Sequence, residues 1–123
     1  MSTASDLHTR GIDAVNRGHF RQSKTLLLRA LTESEDDADR TARIIATLAY
    51  VEAELGDRAS AIDRCAAALR QPGLTPHSRA VIRSQQAVLL SRGGEVHAAL
   101  ALYDLAIPAL ELGTAERANV LLN

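Results

Sequence analysis

The chain has 123 residues, of which 46% are hydrophobic, and this length suits one compact domain better than two. Its 14 Lys and Arg residues nearly balance its 15 Asp and Glu residues, and the formal charge of −1 supplies no attraction for a phosphate backbone. We therefore expect a single domain over residues 1–123 that does not bind nucleic acid.

The cysteine count and the amino terminus predict the compartment. Cys65 is the single cysteine, so the chain cannot form an internal disulfide. The first residues are polar, and no apolar run approaches the ~20 residues of a membrane-spanning helix. These features predict a cytoplasmic protein that has no export signal and does not associate with membranes.

A first pair of helices is predicted over about residues 4–38, with its turn at Gly18. The polar segment 32–39 is predicted to be a loop whose aspartates cap the next helix. A second pair is predicted over about 40–72, where apolar residues spaced as on one helix face precede a break at Gly56 and Asp57. Asp57 is expected to cap the helix that follows.

A third pair is predicted over about 76–112. Two prolines and a glycine within 71–76 stop the preceding helix, and Thr75 before Pro76 is typical of a capped helix start. Pro108 falls where helix interior is expected, so we predict a kink or an early end there. Residues 114–123 are predicted to form either the first helix of a fourth pair or a capping helix.

The three predicted helix pairs are related by a constant spacing in the sequence. Gly18, Gly56 and Gly94 are 38 residues apart, and other small or apolar residues recur at the same spacing. These series are Ala4, Ala42, Ala80 and Ala118; Gly11, Ala49 and Ala87; Ala30, Ala68 and Ala106; and Leu31, Leu69 and Ile107. A repeat of this length predicts helix-turn-helix hairpins in tandem.

The repeat resembles the tetratricopeptide (TPR) family. The residues that carry the resemblance are Gly11, Gly18, Phe20, Leu27 and Ala30 in the first unit; Ala49, Gly56, Ala61, Cys65 and Ala68 in the second; and Ala87, Gly94, Ala99, Tyr103 and Ala106 in the third. Ala14 and Glu52 stand where the family usually has an aromatic residue, and the period of 38 exceeds the family's period of about 34.

This resemblance implies an all-α, right-handed α-solenoid of three repeats plus part of a fourth. It also implies a scaffold, rather than an enzyme, that binds a peptide or helix of another protein in its concave groove. The segments LAYVEAELGD, QPGLTP and ERANVLLN are similar to amino-terminal TPR arrays of actinobacterial multidomain proteins, such as CHAT-domain (caspase-like) proteins. The alternative is therefore a sensor or regulatory region of a larger effector whose catalytic domain is absent from this chain.

In the family, the groove is lined by the first helix of each hairpin. The matching residues here are His8, Ile12, Asn16, Arg43, Thr47, Tyr50, Glu54, Ser84, Gln85, Val88 and Arg92. Tyr50 with Arg43 and Arg92 is the candidate hot spot, because Tyr and Arg are enriched where binding energy concentrates. The carboxylate clamp of chaperone-binding members is not reproduced, and an ordinary solvated stripe is the alternative interpretation.

Catalytic, metal and cofactor sites are not predicted. Cys65 occupies the same repeat position as Leu27 and Tyr103, which indicates a core cysteine rather than a nucleophile. The four histidines lack the spacing of a metal site, and no phosphate-binding glycine loop is present. Self-association through the C-terminal end is a further expectation, because Val120, Leu121 and Leu122 are apolar.

Overall fold

The computed structural model describes residues 3–34 and 36–110, and these residues form six α-helices and no strand. The helices are α1 (Ala4–Asn16), α2 (Phe20–Glu33), α3 (Ala38–Glu54), α4 (Arg58–Leu69), α5 (Pro76–Arg92) and α6 (Val96–Leu110). The predicted all-α class is confirmed. The helix predicted over 114–123 lies outside the described residues. Within the described ranges, no helix has the length and apolar character needed to cross a lipid bilayer.

Helix α3 is the centre of the packing. Each helix contacts the next along the chain, and α3 also contacts α1 and α5. Two apolar cores result, one among α1, α2 and α3 and the other among α3, α4 and α5. Ile44, Leu48 and Val51 of α3 belong to the first core, whereas Ala42 and Ala49 of the same helix belong to the second.

Three connections share one geometry. The links between α1 and α2, α3 and α4, and α5 and α6 occupy residues 17–19, 55–57 and 93–95. Each contains a glycine with positive φ, 78° at Gly18, 91° at Gly56 and 87° at Gly94, a conformation that side chains disfavour. The amide after each glycine donates to the carbonyl five residues earlier at 2.8–2.9 Å, as at many glycine-terminated helices.

The predicted helix starts are confirmed. The Asp57 carboxylate accepts from the Ser60 amide at 3.3 Å, and Thr75 Oγ1 accepts from the Ser78 amide at 3.1 Å. Pro76 is the first residue of α5, where its missing N–H costs no hydrogen bond.

The loop predicted over 32–39 is too long. Helix α2 continues to Glu33, and α3 begins at Ala38, directly after its cap Asp37. Thr32 Oγ1 bonds to the Leu28 carbonyl within the last turn of α2, which satisfies this polar side chain without leaving the helix. At Thr32 and Glu33 the polar composition therefore reflects solvent exposure within the last turn of α2 rather than loss of helix.

Helix α6 continues past Pro108 to Leu110, so the early end predicted at Pro108 is wrong. Pro108 lacks the backbone donor of other residues, and the helix nevertheless continues through it. The alternative of a kink at Pro108 stays a prediction.

Helices α4 and α5 are joined by two arginine hydrogen bonds, one donated from each helix to the other. Arg58, the first residue of α4, donates from Nη1 to the Leu89 carbonyl in the last turns of α5 at 3.0 Å. Arg79 of α5 donates from Nη1 to the carbonyl of Leu69, the last residue of α4, at 3.0 Å. Arg79 thus supplies a donor to a terminal carbonyl of α4, where backbone partners run out, and Arg58 adds a second donor to the Leu89 carbonyl, which also accepts from the Gly93 amide at 3.2 Å.

Candidate binding surface

The predicted groove residues all lie on α1, α3 and α5, the helices that contact one another through α3. Two side-chain junctions connect the three helices along this surface. One joins α1 to α3 through His8, and the other joins α3 to α5 through Arg92.

The first junction is a hydrogen bond between His8 Nε2 and Thr47 Oγ1 at 2.9 Å. Burial lowers the pKa of His8 below its usual 6.5, and the positive charge of Arg43 lowers it further. The imidazole ring is therefore held in its neutral form, which can share this hydrogen bond without bringing a charge between α1 and α3.

The second junction centres on Arg92. Its Nη1 donates to Glu54 Oε1 at 2.7 Å, and its Cζ lies 5.6 Å from the centre of the Tyr50 ring, within cation–π distance. The hydrogen bond to Glu54 raises the pKa of Arg92 above its usual value. Tyr50 in turn meets the Phe20 ring of α2, with centroids 6.4 Å apart and planes inclined by 59°. These contacts fix the Arg92 head group and the Tyr50 ring together at the surface.

A cleft of about 360 Å³ adjoins the second junction. It is lined by Tyr50, Gln85, Val88, Ser91, Arg92 and Tyr103, which come from α3, α5 and α6. Within the part of the chain that the structure describes, the Gln85 Nε2 atom is buried and has no hydrogen-bond partner. The cleft therefore combines apolar ring and valine surface with the Arg92 cation and with an amide donor that forms no hydrogen bond there.

The three residues of the predicted hot spot, Tyr50, Arg43 and Arg92, do not lie together. Arg92 reaches Tyr50, but Arg43 acts on His8 and Asp39 instead. Arg43 precedes Tyr50 by seven residues on α3, a rise of roughly 10 Å along a helix. Ser84 and Ile12 were also predicted to line the groove, but they do not line the cleft. Ser84 Oγ bonds to the Ala80 carbonyl of its own helix at 2.9 Å, and Ile12 is 41% exposed.

Tyr103 and Ser91 were not predicted to line this surface. Tyr103 shares its repeat position with Leu27 and Cys65, both fully buried, so the repeat gives no sign that this residue reaches a surface. Tyr103 is only partly buried and lines the cleft, and its partial burial raises the pKa of its phenol. The sequence offered one indication that Tyr103 is not fully buried, because its ring is much larger than the side chain of Cys65 at the equivalent position.

Cys65 lies in the core, as its repeat position predicted. Its side chain is 0% exposed, and burial, followed by the charge of Glu52, raises the pKa of its thiol to about 12. Such a thiol is neither accessible nor ionised at neutral pH, which excludes it as a nucleophile. Among the described residues, no group of three or more His, Cys, Asp or Glu side chains is arranged to hold a metal ion.

A buried charged cluster was also missed. Glu52 of α3 is 2% exposed and pairs with Arg64 of α4, whose Nε and Nη2 lie 2.5 and 3.1 Å from its two carboxylate oxygens. Lys24 Nζ of α2 lies 3.6 Å from Glu52 Oε2. The sequence offered one hint, since the resemblance to TPR repeats would place an aromatic residue where Glu52 stands, but the partners of Glu52 lie 12 and 28 residues away on other helices.

Comparison of the chain with known proteins gives no relative. It matches no protein-family model, no curated protein and no solved structure.

Proposed function

We propose that this chain is a TPR-like α-solenoid, made of three helix pairs and the beginning of a fourth, that binds a protein partner along α1, α3 and α5. The recurrence of one turn geometry every 38 residues supports the architecture. So does the burial of equivalent small residues: Ala4, Ala42 and Ala80; Gly11, Ala49 and Ala87; and Ala30, Ala68 and Ala106.

The unused amide of Gln85 is the observation that carries the binding proposal. A buried donor without an acceptor costs about 1–3 kcal/mol, and this cost is recovered when a ligand supplies the acceptor. The partner we propose is a peptide or helix that draws the buried Gln85 amide towards the cleft and gives Nε2 a carbonyl or side-chain oxygen. An apolar side chain of the same partner would lie against Tyr50, Val88 and Tyr103.

The preorganisation of Arg92 and Tyr50 also favours binding here. Because Glu54 and the Tyr50 ring already hold the Arg92 head group, little side-chain entropy is lost when a partner contacts it. Tyrosine and arginine in a partly enclosed position are the residue types on which interface energy concentrates.

The proposal is tested by selecting peptides from a display library on the immobilised chain and measuring their affinities for defined variants. Gln85→Leu and Tyr50→Ala should each weaken binding by about tenfold, the effect of losing one buried hydrogen bond or one aromatic contact. Arg43→Glu, farther along the same helix, should weaken it less.

The matched control is Arg29→Glu, which makes the same charge change as Arg43→Glu at an exposed position on α2. Its affinity for the selected peptides should equal that of the wild type. Peptides that bind all the surface variants as tightly as the wild type would overturn the proposal.

A further inference from the structure

A second cavity, separate from the cleft beside Tyr50, lies between α2, α3, α4 and the link 70–75. Its volume is about 480 Å³, within the ~300–1,000 Å³ typical of small-molecule sites, and it shares no lining residue with the cleft. Its walls are mainly apolar, with Leu31 from α2, Ala42 and Ile45 from α3, Ala68 from α4 and Leu74 from the link.

The side of the cavity formed by the link is anchored. Asp39 Oδ1 accepts hydrogen bonds from both the backbone amide and the hydroxyl of Thr75, each at 3.1 Å. Hydrogen bonding from Ser78, and then from Thr75, holds the pKa of the Asp39 carboxyl below its usual value. The link is therefore tied to the start of α3, and the cavity does not depend on a loosely held loop.

The charged group on the cavity wall is Arg64. Its Nε and Nη2 bind Glu52, and Lys24 contacts the same carboxylate. Two cations therefore share one buried anion, and the cluster of three side chains carries a net positive charge. A positive charge beside an apolar cavity favours an anionic group on any ligand that occupies it.

We propose that this cavity binds a small amphipathic carboxylate, with its aliphatic or aromatic body between α2, α3 and α4 and its carboxylate at Arg64. The apolar walls match the body of such a ligand, and the excess cation matches its head group. The site is independent of the protein-binding surface, because none of its lining residues belongs to that surface.

The first test titrates decanoate, below its micellar concentration, into the wild-type chain while backbone amide shifts are followed by NMR. Saturable shifts should appear in α2, α3, α4 and the link 70–75. Decanol, which has the same chain and a neutral head, should bind about tenfold more weakly, because a hydrogen bond to a charged group is worth more than one to a neutral group. Equal affinities, unsaturable binding, or shifts confined to the Tyr50 cleft or to α6 would overturn the proposal.

Variants test the apolar cavity and the charged cluster beside it separately. Ala67→Phe fills the cavity and should abolish binding of both probes, whereas Ala59→Phe, at an exposed position on the same helix, should leave both affinities unchanged. The triple variant Lys24→Met, Glu52→Leu and Arg64→Met removes the whole charged cluster and should erase the preference for decanoate over decanol. Binding that survives Ala67→Phe, or a preference that survives the triple variant, would count against the assignment, and the wild-type shift map decides the question if a variant does not fold.

Discussion

Gly11 and Leu27 touch across the interface of α1 and α2, where a methyl group on Gly11 would lie 2.7 Å from Leu27 Cδ2. Ser23 Oγ donates to the Gly11 carbonyl at 2.7 Å and holds the same two helices together. The equivalent positions in the next helix pair hold Ala49 and Cys65, both fully buried. Between these two helix pairs, the larger residue on the first helix is accompanied by the smaller one on the second, whereas the third pair has Ala87 with the partly buried Tyr103.

Gly11→Ala should therefore destabilise the fold by about 1–3 kcal/mol, the usual cost of overpacking, although alanine is the better helix former. Chemical denaturation measures the change. Leu27→Cys in the same chain should recover part of the loss, because it recreates the residue pair of the second helix pair. A Gly11→Ala variant at least as stable as the wild type would show that Leu27 can move aside at no cost.

Gln85→Leu should affect stability and binding in opposite directions. Removing a buried donor that has no acceptor should raise the free energy of unfolding by about 1 kcal/mol, while the loss of the same donor weakens peptide binding. Thermal unfolding and peptide titration of one preparation give both values. Gln86→Leu, one residue later on α5, is the control and should alter neither value appreciably.

The Glu52–Arg64 pair should respond differently to single and double substitution. Arg64→Met leaves a fully buried carboxylate with Lys24 alone and should cost about 3 kcal/mol or more. Glu52→Leu with Arg64→Met should be close to neutral, because an apolar pair needs no desolvation of charge. Denaturation of the two variants checks this, and similar losses in both would mean that packing rather than charge dominates at this site.

His8 should make stability depend on pH in a defined window. The folded chain holds the pKa of His8 below 6.5, so the unfolded chain takes up the proton first as the pH falls. The stabilisation from the neutral ring is complete above pH 6.5, declines as the pH falls from 6.5 towards the lower folded pKa, and is lost below it.

Unfolding curves at a series of pH values should therefore show a fall in the wild type that is smaller in His8→Gln. His19→Gln, which removes an exposed histidine, should retain the wild-type fall. Parallel curves for the wild type and His8→Gln would contradict the assignment.

Cys65 should report on opening of the fold. A thiol that is fully buried and has a pKa of about 12 should not react with a thiol reagent near pH 8 until the core between α3, α4 and α5 opens. The labelling rate should rise with denaturant in step with unfolding measured by circular dichroism. Fast labelling of the native chain would show that the core opens locally near Cys65.

Features governed by neighbouring residues could be predicted from the sequence, whereas pairings between distant helices could not. The caps at Asp57 and Thr75 and the turns at Gly18, Gly56 and Gly94 depend on a few adjacent residues. Their chemistry is local, so the pattern of residues was sufficient.

The candidate surface was predictable only in part for the same reason. Spacing of three and four residues places Tyr50 and Arg92 on stripes of their helices, but it carries no information on which stripes meet. Tyr103 reaches the cleft from α6, and Glu52 finds its cations on α2 and α4. Such contacts depend on how helices cross, which a single sequence without relatives does not encode in any local pattern.

The two arginine hydrogen bonds between α4 and α5 limit where the chain can be cleaved without loss of helix structure. Arg79 satisfies the Leu69 carbonyl of α4 and Arg58 adds a second donor to the Leu89 carbonyl of α5, so a break within the link 70–75 would remove a donor from each helix end if the halves separated. Truncation there should yield fragments that fray at α4 and α5 instead of two autonomous modules. The smallest fragment that we expect to fold by itself is therefore longer than one 38-residue repeat.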